Sequence, residues 1–169
     1  MTRLDSLKQL YMDYSRWRNP SLPDNVRSYP NFFSKSTTTN GLTQCTIAWF
    51  RLHGWHAERI TSSGRVVDSR KMFTDAAGFT RMVGTKQYIP GTSMKGTADI
   101  EAFPGGQILK IEIKNAATRD RMRPEQERYR SVVMASGCNY MVITCLEDLP
   151  ECGVNPDREQ FWTAMGKLL

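Results

Sequence analysis

Histidine and cysteine are scarce in this chain: among 169 residues there are only His53 and His56, and Cys45, Cys138, Cys145 and Cys152. No two cysteines form a Cys-x-x-Cys pair, and neither histidine has cysteines at zinc-ligand spacing, which argues against a zinc site. Four cysteines are too few for a disulfide scaffold, so they read as reduced and mostly buried, and the histidines as helix-end packing or capping groups. Long hydrophobic runs are missing too. No stretch approaches the ~20 apolar residues of a membrane helix, and the start, Met-Thr-Arg-Leu-Asp-Ser-Leu-Lys, has no apolar signal core. The expectation is a cytoplasmic chain with no membrane partner. A phosphate-binding loop is absent as well: Lys95-Gly96-Thr97 holds the residues of such a loop in the wrong order.

The charge that is present leans one way. Lys and Arg number 23 against 17 Asp and Glu, a net charge of +6 with pI near 9.3. Such a surface favours an anionic partner, because lysines and arginines release counterions on meeting phosphates. Hydrophobic residues make up 40%, enough for one core in one domain over residues 1–169. The positive charge is densest from 110 to 130, with seven cations and four acids.

Residues 96–114 carry the most chemistry. Asp99, Glu101 and Phe103 alternate with Ala98, Ile100 and Ala102, and Lys110, Glu112 and Lys114 alternate with Leu109, Ile111 and Ile113. Both arms have strand periodicity, and Gly105-Gly106 between them supplies the positive φ angles of a hairpin turn. A turn centred there sets Glu101 opposite Lys110 and Asp99 opposite Glu112. Directly opposed side chains have Cβ atoms about 4.5–5.5 Å apart, where like charges repel. Two readings stand: a solvated hairpin with a Glu101–Lys110 ion pair, or a hard-oxygen site in which a divalent cation offsets the Asp99–Glu112 repulsion and Lys114 shares the face.

The remaining elements are expected as follows. Residues 3–17 form an amphipathic helix, and 18–40, with Pro20, Pro23 and Pro30, an extended connector pinned by Tyr29, Phe32 and Phe33. A helix over 41–53 buries Leu42, Cys45, Ala48, Trp49 and Leu52, with Gln44 at the stripe's edge and Gly54 as its stop. A strand near 55–61 leads to Arg59, Ser62 and Ser63, donors suited to phosphate oxygens or members of a simple loop. The insertion 65–95 shows no clear period and is basic; it reads as a DNA clamp or a dimer arm. Pro124 opens a helix to 136 that buries Tyr129, Val132, Val133 and Ser136, with Gln126 on the same side, and 140–144 is a buried strand. A tail helix spans about 157–167.

Asp99 followed by Glu112-Ile113-Lys114 resembles the PD-(D/E)xK nuclease signature. The wider frame is similar to the phage-type VRR-Nuc branch and to archaeal Holliday-junction resolvases: Gln44 on its helix, His53-Gly54-Trp55, Ala57-Glu58-Arg59-Ile60, Gly96-Thr97-Ala98-Asp99, the Glu-Ile-Lys strand and Arg123-Pro124-Glu125-Gln126. The likeness covers about 41–146, broken by 65–95. The chain departs from the pattern at Ala98, where a proline is usual, and at Thr43 and Gln44, where an acid is common.

The resemblance implies an α/β, restriction-endonuclease-like αβββαβ core: a mixed central sheet flanked by helices, with extra N- and C-terminal helices. It implies a structure-specific DNA endonuclease of phage or bacterial replication, recombination or repair, dependent on Mg²⁺ with Mn²⁺ as substitute. Asp99, Glu112 and the Ile113 carbonyl would hold the metal, Lys114 would position the attacking water, and Gln44 and Gln126 would orient the site. Arg59, Ser62, Ser63, Arg119, Arg121 and Arg123 would hold DNA, and a homodimer is compatible with it. Two further readings are an inactive nucleic-acid-binding module and an assembly protein.

Overall fold

The computed structural model describes residues 2–61, 64–91, 93–116, 120–166 and 169. Ser62, Ser63 and Arg119, three of the candidate DNA contacts, lie outside the described residues.

Helix α1, Arg3–Arg18, starts at a capping box: Asp5 accepts from the Thr2 amide and the Thr2 hydroxyl accepts from the Asp5 amide. The connector that follows contains two short 3-10 turns and is anchored as its aromatics suggest. Phe33 is buried, with Tyr11, Tyr29 and Phe32 rings about it. Arg27 is structural here, bonded to the Ser15 carbonyl and to Asp24. Helix α2, Thr39–Leu52, begins two residues earlier than its apolar stripe suggests, because the Thr38 hydroxyl caps the Gly41 amide at 3.1 Å. Its expected stripe is fully buried.

The central sheet has four strands, in the order β1 (Ala57–Arg59), β6 (Ile100–Ala102), β7 (Leu109–Ile113) and β8 (Asn139–Ile143). Strand β1 is shorter than expected and runs antiparallel to β6. Strand β6 runs antiparallel to β7, and β7 runs parallel to β8 through helix α3 (Pro124–Ala135). This is an α/β arrangement with a mixed sheet flanked by helices, in the order αβββαβ once the insertion is set aside. The register is the expected one, with Glu101 opposite Lys110 and Ile100 opposite Ile111. The turn is wider than a two-residue hairpin: Pro104–Gly106 form a 3-10 turn in which Gly105 and Gly106 take φ of 60° and 78°.

Strand parity divides the sheet. Ile100, Ala102, Leu109, Ile111 and Ile113 join α2 in the apolar core. Glu101, Lys110 and Glu112 face the opposite side, where α3 lies. Helix α3 packs more sparingly than its pattern suggests. Val133 is buried, but Val132 is 46% exposed and Ser136 is exposed beyond the helix end, because the contact is narrow and runs through Tyr129 to Tyr140. Helix α4, Arg158–Met165, returns to α1: Trp162 is buried, with ring centroids 5.2 Å from Tyr14 and 5.3 Å from Trp17.

The insertion is regular, contrary to expectation. Strands β2 (Arg65–Asp68) and β5 (Lys86–Ile89) pair antiparallel, and beyond them β3 (Lys71–Thr74) pairs with β4 (Thr80–Val83). Together they make one ribbon in two tiers. Its period is hidden in the sequence because both faces are exposed, so apolar residues do not sort to one side. Among the described residues, no helix is long and apolar enough to cross a membrane.

Candidate carboxylate and lysine site

Glu112, the fourth of the five residues of β7, pairs with Val142 of β8 and is covered by α3, and it is only 2% exposed. A charge in that position needs partners. Its Oε1 has two: the Lys114 ammonium at 3.1 Å and the Gln126 side-chain amide, which donates to it. Among the described residues, its Oε2 has no hydrogen-bond partner. Burial raises the Glu112 pKa above its ordinary 4.5, the Asp99 charge adds to the rise, and Lys114 opposes it.

Asp99 stands one residue before β6, so the ladder ends at Ile100 and Ile111 and Asp99 is not a laddered partner of Glu112. Instead its Oδ2 accepts the Ile113 amide at 2.9 Å, while its carbonyl accepts the Ile60 amide at 2.8 Å. These bonds tie it to both neighbouring strands. The segment before it is held against α3 at Gly96, whose φ is +80°; a Cβ there would fall 2.6 Å from the Gln126 amide nitrogen and against the Glu125 carbonyl. The same close approach positions Gln126. Its Oε1 accepts the Arg123 amide at 2.9 Å, capping the helix, and this turns its Nε2 toward Glu112.

Lys114 is 5% exposed rather than on an open face. Its amide continues the β7–β8 pairing by donating to the Ile143 carbonyl at 2.9 Å, and its ammonium also meets Asp120 at 3.3 Å. Asp120 was not singled out by the sequence pattern, since it lies in a loop with no period to place it. Tyr140 was likewise read only as part of a buried strand. Its register opposite Lys110 puts it on the polar face, and its hydroxyl is buried without a partner among the described residues. Burial pushes the Tyr140 pKa up, as do the Glu112 and Asp99 charges. Two partnerless buried oxygens, Glu112 Oε2 and Tyr140 Oη, therefore lie on one face of the sheet.

Other candidates are dispersed. Gln44 is exposed on α2 and, among the described residues, bonds to none of these groups, because the buried stripe of α2 turns toward the sheet and leaves Gln44 outside it. Arg59 is exposed and joins Glu58, Thr97, Glu101, Lys110 and Tyr129 in lining an open cleft of about 540 Å³ on the polar face. Arg121 and Arg123 are exposed at the start of α3. His53, as expected, packs at the end of α2, with Nδ1 2.7 Å from the Trp49 carbonyl oxygen.

Among the described residues, no three His, Cys, Asp or Glu side chains come together as a metal cage. The Asp99 and Glu112 carboxylates, with one buried Glu112 oxygen left over, still suit a hard ion that keeps most of its waters, as Mg²⁺ does. Comparison with protein-family models, curated proteins and solved structures found no match.

Proposed function

We propose that the protein is a metal-dependent DNA endonuclease with a restriction-endonuclease-like core, of the PD-(D/E)xK kind. The observation that carries this reading is the unpartnered Oε2 of the buried Glu112, beside Asp99 and on the same strand edge as Lys114. An unsatisfied buried oxygen costs about 1–3 kcal/mol, and a site that retains one has a use for it. Asp99, Glu112 and the Ile113 carbonyl are the groups that would hold Mg²⁺ or Mn²⁺, which when bound neutralises phosphate charge and lowers the pKa of its water.

The chain's own residues supply the rest. The Ile113 amide fixes Asp99, so the acid is oriented before substrate arrives. Gln126 holds Oε1 of Glu112 and thereby leaves Oε2 free. The Lys114 ammonium, already between Glu112 and Asp120, can exchange a carboxylate for an attacking water or for charge developing on phosphate. Arg59, Arg121 and Arg123 are exposed cations available to phosphates.

Lys114 also motivates a second reading. An internal ammonium held by Glu112 and Asp120, with no three acids gathered as a metal cage among the described residues, is what a nucleic-acid-binding module without catalysis would contain. A panel of junction, flap, nicked and plain duplex DNAs, incubated with Mg²⁺, with Ca²⁺ and with chelator, separates the two. The endonuclease cuts with Mg²⁺ or Mn²⁺, binds with little cutting in Ca²⁺, and stops in chelator; Glu112→Gln abolishes cutting but not binding. Binding of DNA with no cleavage under any metal would establish the second reading, and cleavage in chelator would sink the metal mechanism.

A further inference from the structure

We infer that the two-tier ribbon of residues 65–89 is an arm that grips duplex nucleic acid beyond the cleavage point, an inference that rests on the DNA reading above. All sixteen strand residues of the ribbon are exposed, including Met72 at 70% and Met82 at 59%. A lone two-stranded ribbon is marginally stable in water, and exposed apolar residues held on one point to a partner.

Charge selects that partner. The ribbon holds five cations and two acids. Both acids are consumed internally, in the pairs Arg70–Asp68 at 2.6 Å and Arg81–Asp75 at 2.9 Å. Arg65, Lys71 and Lys86 are left without an ion pair among the described residues. The uncompensated charge is all of one sign, so a second copy of the ribbon is repelled and a phosphate backbone attracted. The exposed apolar groups fit the same partner. Met72 and Met82 are direct cross-strand neighbours and Phe79 beside the tip is 66% exposed; methionine and phenylalanine are side chains that wedge against sugars and base steps.

Position completes the argument. The ribbon leaves the core just after Arg59 and returns through Met94 and Thr97, and all three line the cleft on the polar face. Its root is therefore a wall of that cleft, and the returning chain runs directly into Asp99. At ~3.3 Å per residue, the ten residues from Arg65 to Thr74 reach about 33 Å, roughly one helical turn of duplex.

The test is the triple variant Arg65→Gln, Lys71→Gln, Lys86→Gln, titrated with a labelled 30-base-pair duplex in Ca²⁺ over a range of salt. The expected result is affinity about 10- to 100-fold weaker, with the slope of log K against log salt reduced by about 2–3, a footprint shortened by about one turn, and an unchanged thermal melt. Unaltered affinity, slope and footprint, in a protein whose parent binds DNA, would overturn the arm while leaving the endonuclease reading intact. Sedimentation adds the other occupant: a dimeric parent that becomes monomeric on Met72→Ser with Met82→Ser, with the triple variant's DNA binding unaltered, would make the ribbon a self-association surface. Failure of the parent to bind any DNA would overturn both proposals together.

Discussion

Replacing Lys114 with Met should cost far more stability than loss of an ordinary surface lysine. The side chain is 5% exposed and bonds Glu112, itself 2% exposed, at 3.1 Å. Removing one partner of a buried ion pair costs about 3–5 kcal/mol, because the remaining charge is stranded. Protonation of Glu112 limits the loss. A pH of about 7.5 is three units above the ordinary carboxyl pKa of 4.5, so neutralising Glu112 there costs at most about 4 kcal/mol at 1.36 kcal/mol per unit. At about pH 5.5 the ceiling falls to about 1.4 kcal/mol by the same relation. The sign follows from linkage: the folded state of the variant holds a proton that the unfolded state releases, so its stability falls as pH rises from 4.5 toward the raised folded pKa. For a chain of this length the neutral-pH loss is a drop in Tm of about 10 °C. Urea melts of parent and variant at the two pH values measure it, and adding Glu112→Gln to Lys114→Met should restore most of the loss. A melting curve identical to the parent's at pH 7.5, or a penalty that does not shrink at pH 5.5, would refute the buried pair.

Tyr140→Phe removes a buried hydroxyl that has no partner among the described residues; the fold should gain about 1 kcal/mol, and a melt showing a clear loss would mean that the hydroxyl is bonded. If the hydroxyl serves bound substrate, the same variant cuts DNA more slowly despite its gain in stability, read from single-turnover rates. Gly96→Ala meets both a positive φ and the backbone of α3; it should cost at least about 2 kcal/mol in a urea melt and slow cleavage, since Asp99 and Gln126 are both positioned by that contact.

Much of this arrangement was legible because the strands between 98 and 114 obey simple parity. The Gly105-Gly106 turn fixed the pairing of Glu101 with Lys110, and Gln126 could be placed on the inner side of its helix from spacing alone. Depth was not legible. Alternating charge reads the same on a solvated face and beneath a helix, and only the presence of α3 over β7 distinguishes them, which is why Glu112 and Lys114 prove buried. Asp120 comes from a loop without a period, and Tyr140 needed the parallel register of β7 and β8 across 30 residues. The ribbon was missed for the opposite reason: with water on both faces, its strands carry no hydrophobic alternation.

The aromatic contact between α1 and α4 bears on the order in which the molecule completes itself. Tyr14 and Trp17 enclose the ring of Trp162, which is made almost 150 residues after them. At 5–20 residues per second, the first helix waits roughly ten seconds or more on the ribosome before its pocket can close. During that interval α1 has the connector, α2 and, once made, the turn at Leu146–Asp148 to lie against, so the carboxylate site can assemble around β6, β7 and α3 before Trp162 closes the pocket. Tryptophan fluorescence from Trp17 and Trp162 would then report the last event of folding rather than the first.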